Sequence, residues 1–467
     1  MFQGNSIRDG TGGLTGEGWC PKTGRGHRNE GKTSLSIEEV YGVRRLKKEG
    51  RNSRRGGMEG DTSLGSKPLF SGDLEVHPLA DGLHLVRMWS NVCVVETGEG
   101  VALFDVGLPF HGPRIVEALR SITGKPVRYI IYGHGHADHA FGTPFLLRDA
   151  AERGHPRPEV VAHEALPRRF DRYRRLLPYH ERINRLQFDI PEGIPAFPWE
   201  YVYPDRLVGK EETLRLGELT LELRHGRGET DDHLWLWIPE LRAACVSDFF
   251  VWSCPNVGNP FKVQRYAREW AETLERVAEL SPECLLPGHG SPITGRREVE
   301  DACRTVARAL RHLDEQVVEM LNRGLWQEDI LESFSWPQEF SESPYLAPIY
   351  GHPYFVVQGI LREYHGWYDG NPSHLFPPSS ALVARELVDL VGEEVLLERA
   401  RRMAEEGSHQ LALQLLDLVI EGGRASVEEA METKAGLLEE MARAEKSLIA
   451  RNILLAGARE LRKRLGA

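Results

Sequence analysis

The stretch Val127-Arg128-Tyr129-Ile130-Ile131-Tyr132-Gly133-His134-Gly135-His136-Ala137-Asp138-His139 decides the fold. Val127–Tyr132 is rich in β-branched and aromatic residues, which predicts a buried strand. Gly133 and Gly135 predict a sharp turn where the strand ends. Three imidazoles and a carboxylate then fall within the six residues 134–139. Four good ligand types gathered at a strand end point to a cation site rather than to a polar surface loop that happens to be histidine-rich.

Upstream, Leu83–Arg87, Asn91–Val95 and Val101–Asp105 read as short strands joined by turns such as Gly98-Glu99-Gly100. Asp105-Val106-Gly107 closes the third. Residues 112–123 carry helical spacing through Ile115, Val116, Leu119 and Ile122. Downstream, Thr213–Leu216 and Leu219–Leu223 read as a hairpin turning at Gly217-Glu218. Leu234–Ile238 and Ala243–Val246 read as strands, and Gln264–Leu280 as a helix. A meander followed by strand, helix and strand predicts a layered α/β domain. Between them, residues 164–210 are irregular. Arg168, Arg169, Arg172, Arg174, Arg175, Arg182 and Arg185 crowd one segment, read either as a solvated helix face or as a cap that attracts an anionic head group.

After about residue 300 the pattern is helical. Ser379 or Ser380 caps a helix ending at Gly392, 393–406 and 408–421 form a pair split by Gly407, and Ser426-Val427-Glu428-Glu429 reads as a capping box. The last helix runs to about Leu465. Such pairs resemble tetratricopeptide-type hairpins and imply self-association. Residues 1–66 stand apart. They hold 15 of the 47 glycines and carry 12 Lys/Arg against 8 Asp/Glu, in a chain of net charge −11. They are expected to be a disordered tail, with a possible short helix near Ile37–Lys48 and Met58 as an alternative start. The expected division is 1–66 tail, 67–300 catalytic domain and 301–467 helical domain.

His-x-His-x-Asp-His, as it stands at 134–139, resembles the signature of the metallo-β-lactamase superfamily. The resemblance implies an αββα sandwich and a dinuclear metal centre. Three later places supply the remaining ligands in the family's order: Gly228-Glu229-Thr230, where the family usually carries Gly-His-Thr; Ser247-Asp248, matching the bridging carboxylate; and Pro287-Gly288-His289-Gly290, matching the last histidine. One metal would be held by His134, His136 and Glu229, the other by Asp138, His139 and His289, with Asp248 between them. Read singly, Glu229 is a surface-loop glutamate, Asp248 a helix N-cap and His289 a turn histidine. His225 and His233 are read as non-ligands, with His225 as the fallback for Glu229. Two divalent ions, Zn²⁺ first and Mn²⁺ or Fe²⁺ as alternatives, would turn bound water into hydroxide near neutral pH, with Asp138 at the reacting centre. Oxygen ligands favour harder ions such as Mn²⁺.

Glutamate in place of that histidine is a feature of the alkylsulfatase branch. Tyr364-His365-Gly366-Trp367-Tyr368-Asp369-Gly370-Asn371-Pro372 looks like the Gly-Trp-x-Asp-Gly-Asn-Pro segment of its dimerisation domain. The resemblance implies a homodimer built through the helical region and an alkyl sulfate as substrate. The chain departs from the branch in four ways. The bridging residue is Asp248 rather than glutamate. Pro255-Asn256 stands where His-Asn is usual. The position of the sulfate-holding arginine falls near Asn259 or Phe261, leaving Asn256, Lys262 and Arg265 as candidate head-group contacts. The branch's signal peptide, tyrosine- and glycine-rich substrate loop and lipid-carrier-like domain are not recognised.

The expected function is hydrolysis of an ester with an anionic head group. The alternatives are a carboxylic ester, lactone, thioester or phosphodiester, or a non-catalytic dimeric scaffold with a structural metal. The acidic balance argues against a nucleic-acid partner, and no apolar run is long enough to span a bilayer. Six cysteines without CxxC spacing fit a reducing compartment, so a cytoplasmic protein is expected.

Overall fold

The computed structural model describes residues 74–197 and 200–466. The expected tail 1–66, with its helix near Ile37–Lys48 and the alternative start at Met58, lies outside the described residues. So does Pro198 of the irregular segment.

Two mixed sheets face each other. The first holds seven strands in sequence order: β1 (Glu75–Ala80), β2 (Leu83–Arg87), β3 (Val92–Thr97), β4 (Gly100–Phe104), β5 (Val127–Ile131), β6 (Glu159–His163) and β7 (Arg206–Val208). β1–β4 pair antiparallel and β4–β7 parallel. The second sheet is built from β8 (Glu211–Leu216), β9 (Leu219–His225), β10 (Leu234–Ile238), β11 (Ala243–Ser247), β12 (Cys284–Pro287) and β13 (Ile293–Thr294), with only β11 and β12 parallel. β1, β6, β7 and β13 had no clear sequence signal. β1 and β7 carry polar side chains and are only partly buried, so their apolar alternation is weak.

The layering follows from the two-residue period of the strands. Leu83, Leu85, Cys93, Val95, Ala102 and Phe104 point between the sheets, towards Leu221, Leu223, Leu234 and Leu236 of the second sheet. Their neighbours Val86, Val92, Val94, Val101 and Leu103 point outward, under Ile115, Leu119 and Leu146 of the helices Gly112–Ile122 and Thr143–Glu152. The outer face of the second sheet, through Trp235, Trp237 and Val246, meets Trp270, Leu274 and Val277 of the Ala267–Glu279 helix. The result is an αββα sandwich followed by an all-helical region.

The long helix Arg296–Asn322 buries Val299, Val306, Leu310 and Leu313 in that same outer core, as does Pro353–Tyr364 through Val356 and Ile360. A separate core begins with Val388 and continues through Leu416 and Leu438 to Leu461. Ser379 caps the helix Ser380–Val391 by accepting the Leu382 N–H at 3.3 Å. The expected capping box at Ser426 does not form, because its side chain makes no cap bond. The Glu393 carboxylate instead accepts the N–H groups of Arg424 and Ala425 and holds that loop.

The arginine-rich segment forms two helices, Leu166–Arg175 and Leu177–Phe188. Arg168, Arg174, Arg175 and Arg182 are exposed, as a solvated face predicts, and Arg169 is buried. The last helix, Leu448–Arg464, docks onto this segment, where the Asn452 amide donates to the Gln187 carbonyl at 2.8 Å. The Gln187 side chain in turn donates to the Tyr350 hydroxyl at 3.0 Å and accepts from Asn259 at 3.3 Å. No helix among the described residues is long and apolar enough to cross a membrane.

Candidate metal centre

The ends of β4, β5, β11 and β12 and the β9–β10 loop converge on one site. Clefts of open α/β sheets form at the carboxyl ends of their strands. Two non-glycine residues there adopt left-handed backbone, Asp105 (φ 62°) and Ser247 (φ 45°). Such strain persists where surrounding bonds over-determine it. The Ser247 hydroxyl donates to Asp105 Oδ2 at 2.7 Å, and Asp105 Oδ1 accepts the Gly133 N–H at 2.6 Å.

Gly133 and Gly135 lie in the bend expected at the strand end, and close approach requires them there. Neither has positive φ. A Cβ on Gly133 would meet Asp105 Oδ1 and the Ser247 side chain at 2.7 Å. Gly288 is needed in the same way, because its Cβ would lie 2.1 Å from Asp248 Oδ1.

Seven side chains form two groups of ligand type, His134, His136, Glu229 and Asp248 in one and Asp138, His139 and His289 in the other, each with its donor atoms within 4.8 Å of one another. Asp248 joins the groups. Its Oδ1 lies 3.3 Å from both His139 Nε2 and His289 Nε2, and its Oδ2 lies 4.0 Å from His134 Nε2. Asp138 Oδ2 is 3.6 Å from His139 Nε2 and 3.5 Å from His289 Nε2. His136 Nδ1 is 3.8 Å from Glu229 Oε1.

The outward nitrogens are tied down. His139 Nδ1 meets Asp105 Oδ2 at 2.8 Å, His289 Nδ1 meets the Trp89 carbonyl at 2.6 Å, and His134 Nδ1 lies 3.3 Å from the Ser247 hydroxyl. Partners of this kind fix tautomer and ring orientation at metal sites. The inward atoms His139 Nε2 and Asp248 Oδ1 are buried without a hydrogen-bond partner. Buried polar atoms rarely stay unpaired, so this donor set fits a pair of divalent ions.

The charge around the groups is uneven. Burial, then His139 and His136, lower the His134 imidazole; burial, then Arg265 and Arg169, lower His136. Burial also acts on His139 and His289, yet Asp248, Asp105 and Asp138 overcome it at His139, and Asp248 and Asp138 do so at His289, so both are raised. Burial pushes the Glu229 carboxyl up to about 8, with Asp248 adding to the effect and Arg265 opposing it.

All three candidate head-group contacts lie near this edge. Arg265 is 2% exposed and donates to Glu229 Oε1 and, at 2.7 Å, to the Asn256 carbonyl. Lys262 donates to Asn184 Oδ1 at 2.8 Å, and burial, then Arg265, bring its ammonium down to about 7. The Asn256 side-chain amide is buried with neither its nitrogen nor its oxygen bonded. His225 stacks on His163 with ring centroids 3.8 Å apart, and His233 stacks on Phe249 at 3.9 Å. Neither belongs to a ligand group.

Sequence reasoning overlooked Asp105, Ser247, Asp232 and Arg169 as parts of the site. Asp105 had a signal in Asp105-Val106-Gly107 at a strand end. The others have none, because their partners lie 62 to 142 residues away.

Comparison with known proteins agrees with this architecture. A family model of the metallo-beta-lactamase superfamily matches residues 89–289, and one of alkyl sulfatase dimerisation matches residues 327–464. The chain is 26% identical to a linear primary-alkylsulfatase of Pseudomonas sp. over 321 residues, covering 64% of this chain and 60% of the relative. It is 22% identical to an alkyl/aryl-sulfatase of Saccharomyces cerevisiae over 413 residues, covering 82% and 63%. The solved stereoselective inverting sec-alkylsulfatase Pisa1 from Pseudomonas sp. superposes with a TM-score of 0.74 at 20% identity, covering 83% of this chain and 66% of that one. The chain thus spans about three fifths of the length of the curated relatives it matches.

Proposed function

The chain belongs to the metallo-β-lactamase superfamily, with an alkyl sulfatase dimerisation region, and from that premise we propose that it is a dinuclear metal-dependent hydrolase of alkyl sulfates. The observation that carries the reading is the seven-residue donor set joined by Asp248, with His139 Nε2 and Asp248 Oδ1 buried and in no hydrogen bond. His134, His136 and Glu229 would hold one ion and Asp138, His139 and His289 the other, with Asp248 within reach of both groups. Two divalent ions, Zn²⁺ or a harder Mn²⁺ or Fe²⁺, supply Lewis acidity and an acidified water when bound.

The protein's own groups do the rest. Asp105, Ser247 and the Trp89 carbonyl orient the imidazoles. Asp138, whose side chain keeps 21% exposure at the mouth, is the carboxylate that meets the reacting centre. Lys262 and Arg265 supply positive charge to an anionic head group, and Asn256 supplies its unpaired amide. Cations at such a site select an anionic group by opposite charge and by charge-assisted hydrogen bonds stronger than those a neutral ester accepts.

The order 67–300 catalytic and 301–467 helical completes the reading, with the Arg296–Asn322 helix straddling the boundary. The helical part pairs with a second copy. The apolar residues Leu382, Leu387, Leu390 and Val391 of the Ser380–Val391 helix are exposed, Leu390 by 82%. Such a face is expected to be covered. Five buried free cysteines support a reducing, cytoplasmic setting.

The test is a substrate panel on purified protein loaded with Zn²⁺ or Mn²⁺. Sulfate release from a medium-chain alkyl sulfate, faster than hydrolysis of a carboxylic ester, lactone, thioester or phosphodiester of similar size, is the expected result. Metal-replete protein that releases no sulfate ends the substrate assignment. A carboxylic ester turned over in its place moves the assignment to that class.

A further inference from the structure

We propose that Arg169 and Asp232 are positioning residues that brace the His134–His136 loop and set the affinity of that ligand group for its ion. The inference rests on the metal-centre reading above. Neither residue belongs to a ligand group.

The loop is anchored on both sides of His134. On one side the Gly133 N–H donates to Asp105. On the other the Gly135 N–H donates to Asp232 Oδ2 at 3.0 Å. The second oxygen of Asp232 accepts from Arg169 Nε at 2.8 Å, and the same guanidinium also grips Asp231. Asp232 is fully buried and Arg169 is 4% exposed.

The brace also fills the space that a side chain on the loop would need. A Cβ on Gly135 would meet Arg169 Cδ at 2.7 Å and Asp232 Oδ2 at 2.9 Å. His134 and His136, either side of Gly135, bring Nε2 and Nδ1 to 2.8 Å from each other. Two imidazole nitrogens at that separation converge on one point only while the intervening peptide is held.

An ion pair this deep is a poor choice for stability alone, since an apolar replacement of similar volume is often at least as stable. Here it delivers one directed acceptor to one backbone N–H. Arg169 is the buried member of the exposed arginine row on the Leu166–Arg175 helix. That helix therefore reaches the metal loop through Asp232.

The test compares Asp232→Asn, Arg169→Met and Arg169→Lys with the parent chain. Zn²⁺ stoichiometry is read by elemental analysis, stepwise affinity by chelator competition, and folding of the metal-free protein by circular dichroism. Asp232→Asn and Arg169→Met are expected to weaken one of the two ions by about 10–100-fold, as loss of an outer partner does, and to leave the other unchanged. Arg169→Lys is expected to fall between, because an ammonium cannot fork to both aspartates. Should Arg169→Met fail to fold, the near-isosteric Asp232→Asn decides. Equal weakening of both ions, or no change in either, overturns the inference while the metal-centre reading stands. A parent chain that holds no Zn²⁺ overturns both.

Discussion

The two halves of the candidate metal centre are built from the same ligand types and differ in the charges around them. His136 is faced by the cations Arg265, Arg169 and Lys262, and Glu229 by Arg265. His139 and His289 are faced by anions, namely Asp105, Asp138 and Asp248. The extra negative charge that Glu229 brings, relative to a histidine, is offset locally by the Arg265 guanidinium rather than spread over the whole site. One half thus resists protonation of its imidazoles and the other invites it. Asp248 lies between the two, kept ionised against its own burial by His139 and His289.

Removing the shared carboxylate breaks both halves at once. Asp248→Ala is expected to lose both ions and to cut alkyl sulfate hydrolysis by on the order of 10³-fold or more, several kcal/mol of barrier. Elemental analysis and a sulfate-release assay check this. Arg265→Met acts on the cationic half. Without its guanidinium the Glu229 carboxyl, already near 8, rises further, and each added unit costs about tenfold in ion affinity at neutral pH, because the ligand must lose its proton first. Chelator competition at several pH values reads that shift, and the His139 half serves as internal reference.

The anionic half is probed by pH alone. His139 and His289 have raised values in the metal-free protein, so uptake of an ion displaces protons and affinity grows as pH rises. Calorimetry in two buffers of different ionisation heat counts the protons released. The same two histidines fix the sign for folding. Their contribution to metal-free stability is fully present below the unfolded value of about 6.5 and is lost as pH rises through their folded values. Urea midpoints measured with a chelator should therefore fall with increasing pH, and the fall should vanish once the ions are bound. The smallest effect is reserved for a residue outside both halves. Arg174→Ala, on the exposed face of its helix, should change stability by no more than about 0.5 kcal/mol and leave ion affinity alone.

Local pattern was enough to read the sandwich strands β2–β5 and β8–β11, because each alternates or is wholly apolar over a few residues. The seven ligand-type residues were legible because the chain repeats one grammar, a strand followed at once by a ligand loop. The supports were not. Asp232 accepts from Gly135, 97 positions away, and Ser247 donates to Asp105, 142 positions away. No spacing rule reaches that far. The arginine row was read correctly as mostly solvated, yet Arg169 cannot be told from Arg168 or Arg174 until the helix is laid against the loop. The Ser426 box failed for a related reason, since a carboxylate from another helix, Glu393, took its role.

The bond from Asn452 to the Gln187 carbonyl ties the last helix to the sandwich half of the chain. Gln187 also holds Asn259, in the loop after Asp248, and the Tyr350 hydroxyl. A chain cut in the loop before Ser447 would remove Asn452 and uncover the Gln187 carbonyl, loosening the end of the Leu177–Phe188 helix that holds Asn259 and Tyr350. For anyone trimming or grafting this fold, the last helix is a buttress of the Leu177–Phe188 segment and not a detachable handle.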